Sequence, residues 1–184
     1  MNHAITTKEP NFMRVTPLAL ALAGFVALAV PAAADPIDDC NSNTPQYIID
    51  GCTKLIDEGK ADNDALAIAH FNRANALDDK GDHDAALADY DQSIKLKPDY
   101  VDSYLNRGLV HEEKKDYDSA IADFNRAIAL KPNFARAFYA RGRAYEAKGD
   151  LQQALAGYEE AAKLAPNNKA VQKRLAEVKQ KLGQ

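Results

Sequence analysis

The sequence has no tryptophan, only two cysteines and two methionines, and nine glycines among 184 residues. The cysteines are not spaced C-x-x-C, which removes a thioredoxin-like redox motif and the usual paired-cysteine zinc sites. A glycine-rich phosphate loop and a G-x-S-x-G elbow are both missing, and with them the signatures of nucleotide binding and serine hydrolysis. The longest apolar run, residues 18–30, has 13 residues. A bilayer span takes about 20. Basic charge is not in surplus either: 23 Lys and Arg against 27 Asp and Glu leave a net charge of −4, which argues against a generic grip on nucleic acid. What is present, 46% apolar and 27% charged residues, is the composition of a folded, mildly acidic protein.

Residues 18–30 follow Lys8 and Arg14 and lead into Pro31-Ala32-Ala33-Ala34 before Asp35. A basic start, a short apolar middle and an A-x-A step predict a secretory signal over residues 1–34, cleaved after Ala34. Met13 offers a second possible start, and a buried or anchoring helix is the competing reading of the apolar run. Asp38 and Asp39 argue against a lipid anchor on Cys40. Cleavage leaves 150 residues, enough for one stable domain, expected in the periplasm of a bacterium.

Cys40 and Cys52 form an even pair in an exported chain, so a disulfide is expected. Thr44-Pro45 reads as a helix start. The five residues from Cys40 to Pro45 can reach back up to about 17 Å, enough to meet Cys52 about 10 Å up that helix.

Beyond residue 60 the chain repeats with a period of 34, in units 67–100, 101–134 and 135–168. Pro98, Pro132 and Pro166 share one column, and Ala86, Ala120 and Ala154 another. Four residues after each alanine come Tyr90, Phe124 and Tyr158. Earlier columns are His70, Tyr104 and Phe138, then Ala74, Gly108 and Gly142. Each unit divides into two helical patterns around a turn, with an Asp before the second helix and Pro after it. Small residues permit close helix approach, and the ring four residues on fills the remaining space.

This arrangement resembles the tetratricopeptide repeat (TPR) family, whose 34-residue helix–turn–helix units carry these columns. The resemblance covers 102 residues and implies an all-α, right-handed superhelical stack. Residues 35–66 are expected to hold an N-terminal segment with a helical half-unit, in which Ile48, Cys52 and Leu55 take core columns. Residues 169–184 are expected to form a capping helix, with Val171, Leu175, Val178 and Leu182 on its apolar side.

No catalytic constellation is visible. His70, His83 and His111 fall on separate elements, and the acidic run from Asp78 to Asp84 lacks the spacing of an EF-hand loop and coincides with an inter-helix turn. The expectation is a chain without enzymatic activity, metal or cofactor.

A TPR stack exposes its first helices along a concave face. Helical spacing turns Asp102, Leu105, Leu109 and Glu112 to that face. The corresponding columns supply Phe71 and Tyr139, Asn75 and Arg143, and Arg136. With Asn106 these make the expected partner-binding set: Phe71, Asn75, Leu105, Asn106, Leu109, Arg136, Tyr139 and Arg143. An apolar stripe with an acidic border, Asp78, Glu112 and Glu146, suits a protein or peptide partner. Self-association within an envelope or secretion assembly is the alternative. Some family members clamp a partner's C-terminal carboxylate with two Lys, two Asn and one Arg. Asn75 and Asn106 match that set and Arg136 is a basic substitute, but Phe71 and Ala140 stand at positions needing Lys and Arg, so carboxylate capture is not expected.

One column departs from the family. Arg73, Arg107 and Arg141 stand where a large aliphatic is usual. Asp89 and Asp123 share a second-helix column that holds Gly157 in the third unit. An Asp is thus present wherever an Arg follows in the next unit. Structural ion pairs between repeats are expected, Asp89 with Arg107 and Asp123 with Arg141, and Arg73 with Asp50. An anion-binding arginine ladder is the competing reading.

Overall fold

A computed structural model of the chain describes residues 36–184; the leader expected over residues 1–34 lies outside them. The described residues form nine α-helices and no strand. A short α1 (Pro36–Cys40) and α2 (Pro45–Glu58) precede three hairpins: α3 (Asn63–Asp79) with α4 (His83–Leu96), α5 (Val101–Glu113) with α6 (Tyr117–Leu130), and α7 (Ala135–Ala147) with α8 (Leu151–Leu164). The last helix is α9 (Lys169–Lys181). Each helix packs chiefly on its neighbours along the chain, the contact pattern of an all-α solenoid.

Local chemistry sets the boundaries. Asp62, Asp82, Asp116 and Asp150 cap α3, α4, α6 and α8, each side chain accepting from a backbone N–H three residues on. This satisfies donors that the first turn leaves unpaired. Two of the three hairpin turns put glycine at positive φ, Gly81 at 81° and Gly149 at 85°. The middle turn puts Lys115 there at 62°, a conformation that costs a side-chain-bearing residue about 1–2 kcal/mol.

Ala86, Ala120 and Ala154 are buried, as are Tyr90, Phe124 and Tyr158 beneath them. His70 is half-buried and its Nδ1 lies 2.8 Å from Asp89 Oδ1, so the first ring of that unit meets a carboxylate. Cys40 and Cys52 are buried and bonded, with 4.5 Å between their Cα atoms, joining α1 to α2. Gly51 makes that junction possible, because a Cβ there would collide with the Asp39 side chain and the Cys40 backbone. On α9, Val171 and Val178 are buried, and Leu175 and Leu182 pack beside Val178 against Tyr158.

The arginine column pairs differently from the sequence expectation. Asp89 is bonded by Arg73, not Arg107: Arg73 Nε donates to Asp89 Oδ2 at 2.7 Å and Nη2 to Oδ1 at 2.8 Å. Asp123 is bonded by Arg107, not Arg141, at 2.8 and 2.5 Å. Each acid therefore faces the first helix of its own hairpin, where the two-pronged guanidinium matches the carboxylate. The third nitrogen makes the contact between repeats, to a residue two places along the preceding second helix: Arg107 Nη1 donates to Asp91 at 2.5 Å and Arg141 Nη1 to Asn125 at 2.8 Å. Arg73 Nη1 donates to Thr53, and Asp50 accepts instead from Gln46. In the third hairpin Gly157 replaces the acid of this column, and Arg141 Nε is buried with no partner among the described residues. A side chain at Gly157 would not fit, since its Cβ would lie 2.9 Å from Gly142 Cα. Arg73 and Arg107 are held by these carboxylates, so an anion approaching either would meet an acid beside it. A second period-34 contact went unread in the sequence: Lys114 donates to Asp84 at 2.6 Å and Lys148 donates to Asp118.

Burial pushes the Asp89 carboxyl up, but hydrogen bonds from Arg73 and His70 outweigh it and hold the group below its usual range. A depressed carboxylate contributes stability that is fully present above the ordinary carboxylate range and is lost as pH falls from that range through the lower folded value. Asp89→Asn is therefore expected to be less stable than the native chain at neutral pH by roughly 1–3 kcal/mol. That gap should narrow steadily as pH is lowered below the ordinary carboxylate range. Urea unfolding across this range is the check, and a gap that stays constant contradicts the pairing.

Candidate functional site

The surface shared by the first helices holds the expected partner-binding residues, and the structure divides them. Leu105, Leu109, Arg136, Tyr139, Ala140 and Arg143 surround a hollow of about 160 Å³ between α5 and α7. Leu105 is its floor, not an exposed anchor: the residue is 1% exposed and packs in the core cluster with Phe124. Tyr139 stands half-buried on the wall, its ring 5.5 Å from that of Tyr158. Arg136 is exposed.

The other three residues are held elsewhere. Phe71 packs its ring 6.1 Å from Tyr90 and 5.0 Å from Tyr100, within the first hairpin and the turn after it. Asn75 Oδ1 accepts from Tyr90 Oη at 2.6 Å and from Asn106 Nδ2 at 2.8 Å. The two asparagines thus tie α3 to α5 across the face.

Next to the hollow lies a charged cleft of about 370 Å³, lined by Glu112, Arg143, Glu146, Ala147, Arg174 and Lys181. Arg143 lines both spaces. Its Nη2 lies 2.9 Å from Glu112 Oε1. Glu146 accepts from Tyr158 Oη at 2.8 Å and from Lys181 Nζ at 2.7 Å. Burial pushes the Glu146 carboxyl up, but the bonds from Lys181 and Tyr158 prevail and hold it below its usual range. Burial raises Glu112, with Arg143 only partly offsetting it. The acids belong to the border column read from the sequence. Arg174 and Lys181 were not anticipated there, because a helix-wheel reading of the last helix assigns its cations to solvent. A wider depression of about 460 Å³ lies along α2, lined by Asp50, Thr53, Lys54, Asp57 and Glu58, and includes none of the groove residues.

Each of the described histidines sits against its own carboxylate: His70 on Asp89, His83 between Asp78 and Glu113, and His111 Nδ1 3.6 Å from Asp116. They do not converge on one site. Asp78, His83 and Glu113 bring three possible ligand atoms within 4.8 Å of one another.

A sequence profile of the tetratricopeptide repeat matches residues 71–133 and 116–169. No curated protein matches the sequence. Among solved structures, the first TPR of Spaghetti (RPAP3) bound to the HSP90 peptide SRMEEVD is 26% identical, covers 68% of this chain and 100% of that one, and superposes with a TM-score of 0.64. The first TPR domain of human RPAP3, solved by NMR, is 27% identical over 64% of this chain and 92% of that chain, with a TM-score of 0.61. MamA from Desulfovibrio magneticus RS-1 is 22% identical, covers 80% of this chain and 81% of that one with a TM-score of 0.71, and is similar in fold.

The division of the groove predicts opposite behaviour for two of its residues. Leu105→Ala removes a buried side chain and is expected to cost about 2–5 kcal/mol of stability. Tyr139→Ala, on the partly exposed wall, should cost less than half as much. Chemical denaturation of the two variants is the check. Equal losses would mean that both residues are core and that the hollow is not a surface feature.

Proposed function

We propose that this chain, which belongs to the tetratricopeptide repeat family, is a non-enzymatic interaction module that holds a stretch of a partner protein along its concave face, in the periplasm. The carrying observation is the hollow between α5 and α7, apolar at its floor and ringed by Tyr139, Arg136 and Arg143. An aromatic wall beside an apolar pocket with arginines at the rim is the composition of a binding hot spot. The RPAP3 domain with a bound HSP90 peptide gives this reading a parallel on a similar backbone.

The partner is read through side chains, not through a terminal carboxylate. Asn75 and Asn106 are bonded to each other, and Phe71 and Ala140 replace the cations such a clamp requires. Export is supported by the buried Cys40–Cys52 bond, which persists in an oxidising compartment. None of the described helices is long and apolar enough to cross a membrane.

Capture from envelope extract on the immobilised oxidised chain, run beside Tyr139→Ala, tests the proposal. The native chain should retain a partner at least tenfold more than the variant, a loss of about 1.4 kcal/mol, while light scattering shows both as monomers. If the native chain self-associates and Tyr139→Ala abolishes that, the module is a structural, self-assembling component instead. If retention is the same on both, the groove is not the binding surface.

A further inference from the structure

The hollow and the cleft adjoin through Arg143, and the cleft contains an acceptor that no described residue satisfies. The Glu112 side chain is 10% exposed. Its Oε1 meets Arg143, whereas its Oε2 is buried with no hydrogen-bond donor among the described residues. A buried carboxylate oxygen left without a donor is costly, and a ligand that supplies one recovers that cost on binding.

The surrounding charges say which kind of donor fits. Three cations line the cleft, and each already faces an acid: Arg143 meets Glu112, Lys181 meets Glu146, and Arg174 meets Glu177 at 2.9 Å. An incoming ammonium or guanidinium would face Arg143, Arg174 and Lys181. An incoming carboxylate would face Glu112 and Glu146. A neutral donor avoids both repulsions.

Spacing links the two spaces. Leu109 in the hollow and Glu112 in the cleft are three residues apart on α5, so their Cβ atoms lie about 5–6 Å apart on one face. In an extended peptide, side chains on one face recur every second residue, about 6.4–6.8 Å apart. A ligand side chain over Leu109 therefore places the next-but-one side chain over Glu112. The hollow of about 160 Å³ suits one aliphatic side chain of leucine size.

We propose that hollow and cleft form one two-part subsite for an extended peptide, in which a leucine-sized side chain fills the hollow and a neutral amide two residues away, from glutamine or asparagine, donates to Glu112 Oε2. The subsite rests on the groove reading above and adds its specificity. Arg143, with 44% of its side chain exposed, shifts about its Nη2 bond to Glu112 Oε1 to admit the donor while the floor at Leu105 stays fixed. Because ligand and cleft exchange no net charge, affinity should change little with salt.

The probe is acetyl-Gln-Ser-Leu-Ser-Gln-amide, whose side-chain pattern reads the same in both chain directions. It is titrated into the isotope-labelled, oxidised chain while the backbone amides of Leu109, Glu112 and Arg143 are followed by NMR. Its dissociation constant should be at least tenfold lower than those of the analogues with Lys or Glu in place of both glutamines, and of the analogue with Ala at the centre. In Glu112→Gln, which keeps an acceptor for Arg143 but turns an amide N–H toward the ligand, the preference for the Gln over the Glu peptide should fall to near unity. A Lys or Glu peptide that binds as tightly as the Gln peptide overturns the subsite and leaves the groove reading intact. So does a Gln-over-Glu preference that survives Glu112→Gln. If no peptide shifts these amides, the subsite falls, and the capture experiment alone decides the groove reading.

Discussion

The structure depends on how closely the two helices of the second and third hairpins approach. A Cβ on Gly108 would lie 2.6 Å from Phe124 Cε1, and one on Gly142 would lie 2.8 Å from two ring atoms of Tyr158. These rings are fully buried and cannot yield. In the second and third hairpins the glycine and the ring are therefore one feature, a flat aromatic face laid against bare backbone, and the first hairpin uses Ala74 beside Tyr90. With that distance fixed, the first helices of successive units line up, and the hollow between α5 and α7 follows. Its floor is core, and its rim is Tyr139 and the arginines, so rigid packing beneath holds the adaptable side chains above.

Close approach also accounts for the arginines. An aliphatic at position 73 or 107 would fill the seam between helices with apolar volume; here the seam is filled by a guanidinium lying flat against a buried carboxylate. Desolvation offsets much of the Coulomb attraction in such pairs, so their main effect is geometric. Two nitrogens fix the hairpin and the third reaches the preceding unit. In the third hairpin Gly157 lies directly against Gly142, and the acid of that column is gone. Arg141 is left with Asn125 and the Phe138 ring, 5.3 Å away.

Much of this was legible in the sequence, because a period of 34 aligns equivalent residues whatever their surroundings. The alanine, ring and proline columns carry the repeat fold and its helix ends. Columns do not say which neighbour a residue faces. The Asp89–Arg73 and Asp123–Arg107 pairs and the alternative pairs with the following unit give nearly the same pattern of presence and absence, so the pattern alone does not choose between the two helices. Helical arithmetic failed at Leu105 for a related reason. Spacing gives the direction of a side chain around its helix and not its depth, and Leu105 points toward the groove from beneath its surface. Arg174 and Lys181 were missed because an amphipathic pattern treats every polar side as solvated, whereas the polar side of α9 turns partly onto Glu146.

The account stands or falls on the close approach, and Gly142→Ala tests it with a change of sign. Replacing glycine by alanine inside a helix ordinarily gains about 0.5–1 kcal/mol. Here the added methyl meets the Tyr158 ring at 2.8 Å and the Ala154 carbonyl at 3.2 Å. Overpacking of this kind costs about 1–3 kcal/mol, so the free energy of unfolding should fall. An unchanged or increased unfolding free energy would contradict the claim that this contact sets the geometry of the stack and of the groove above it.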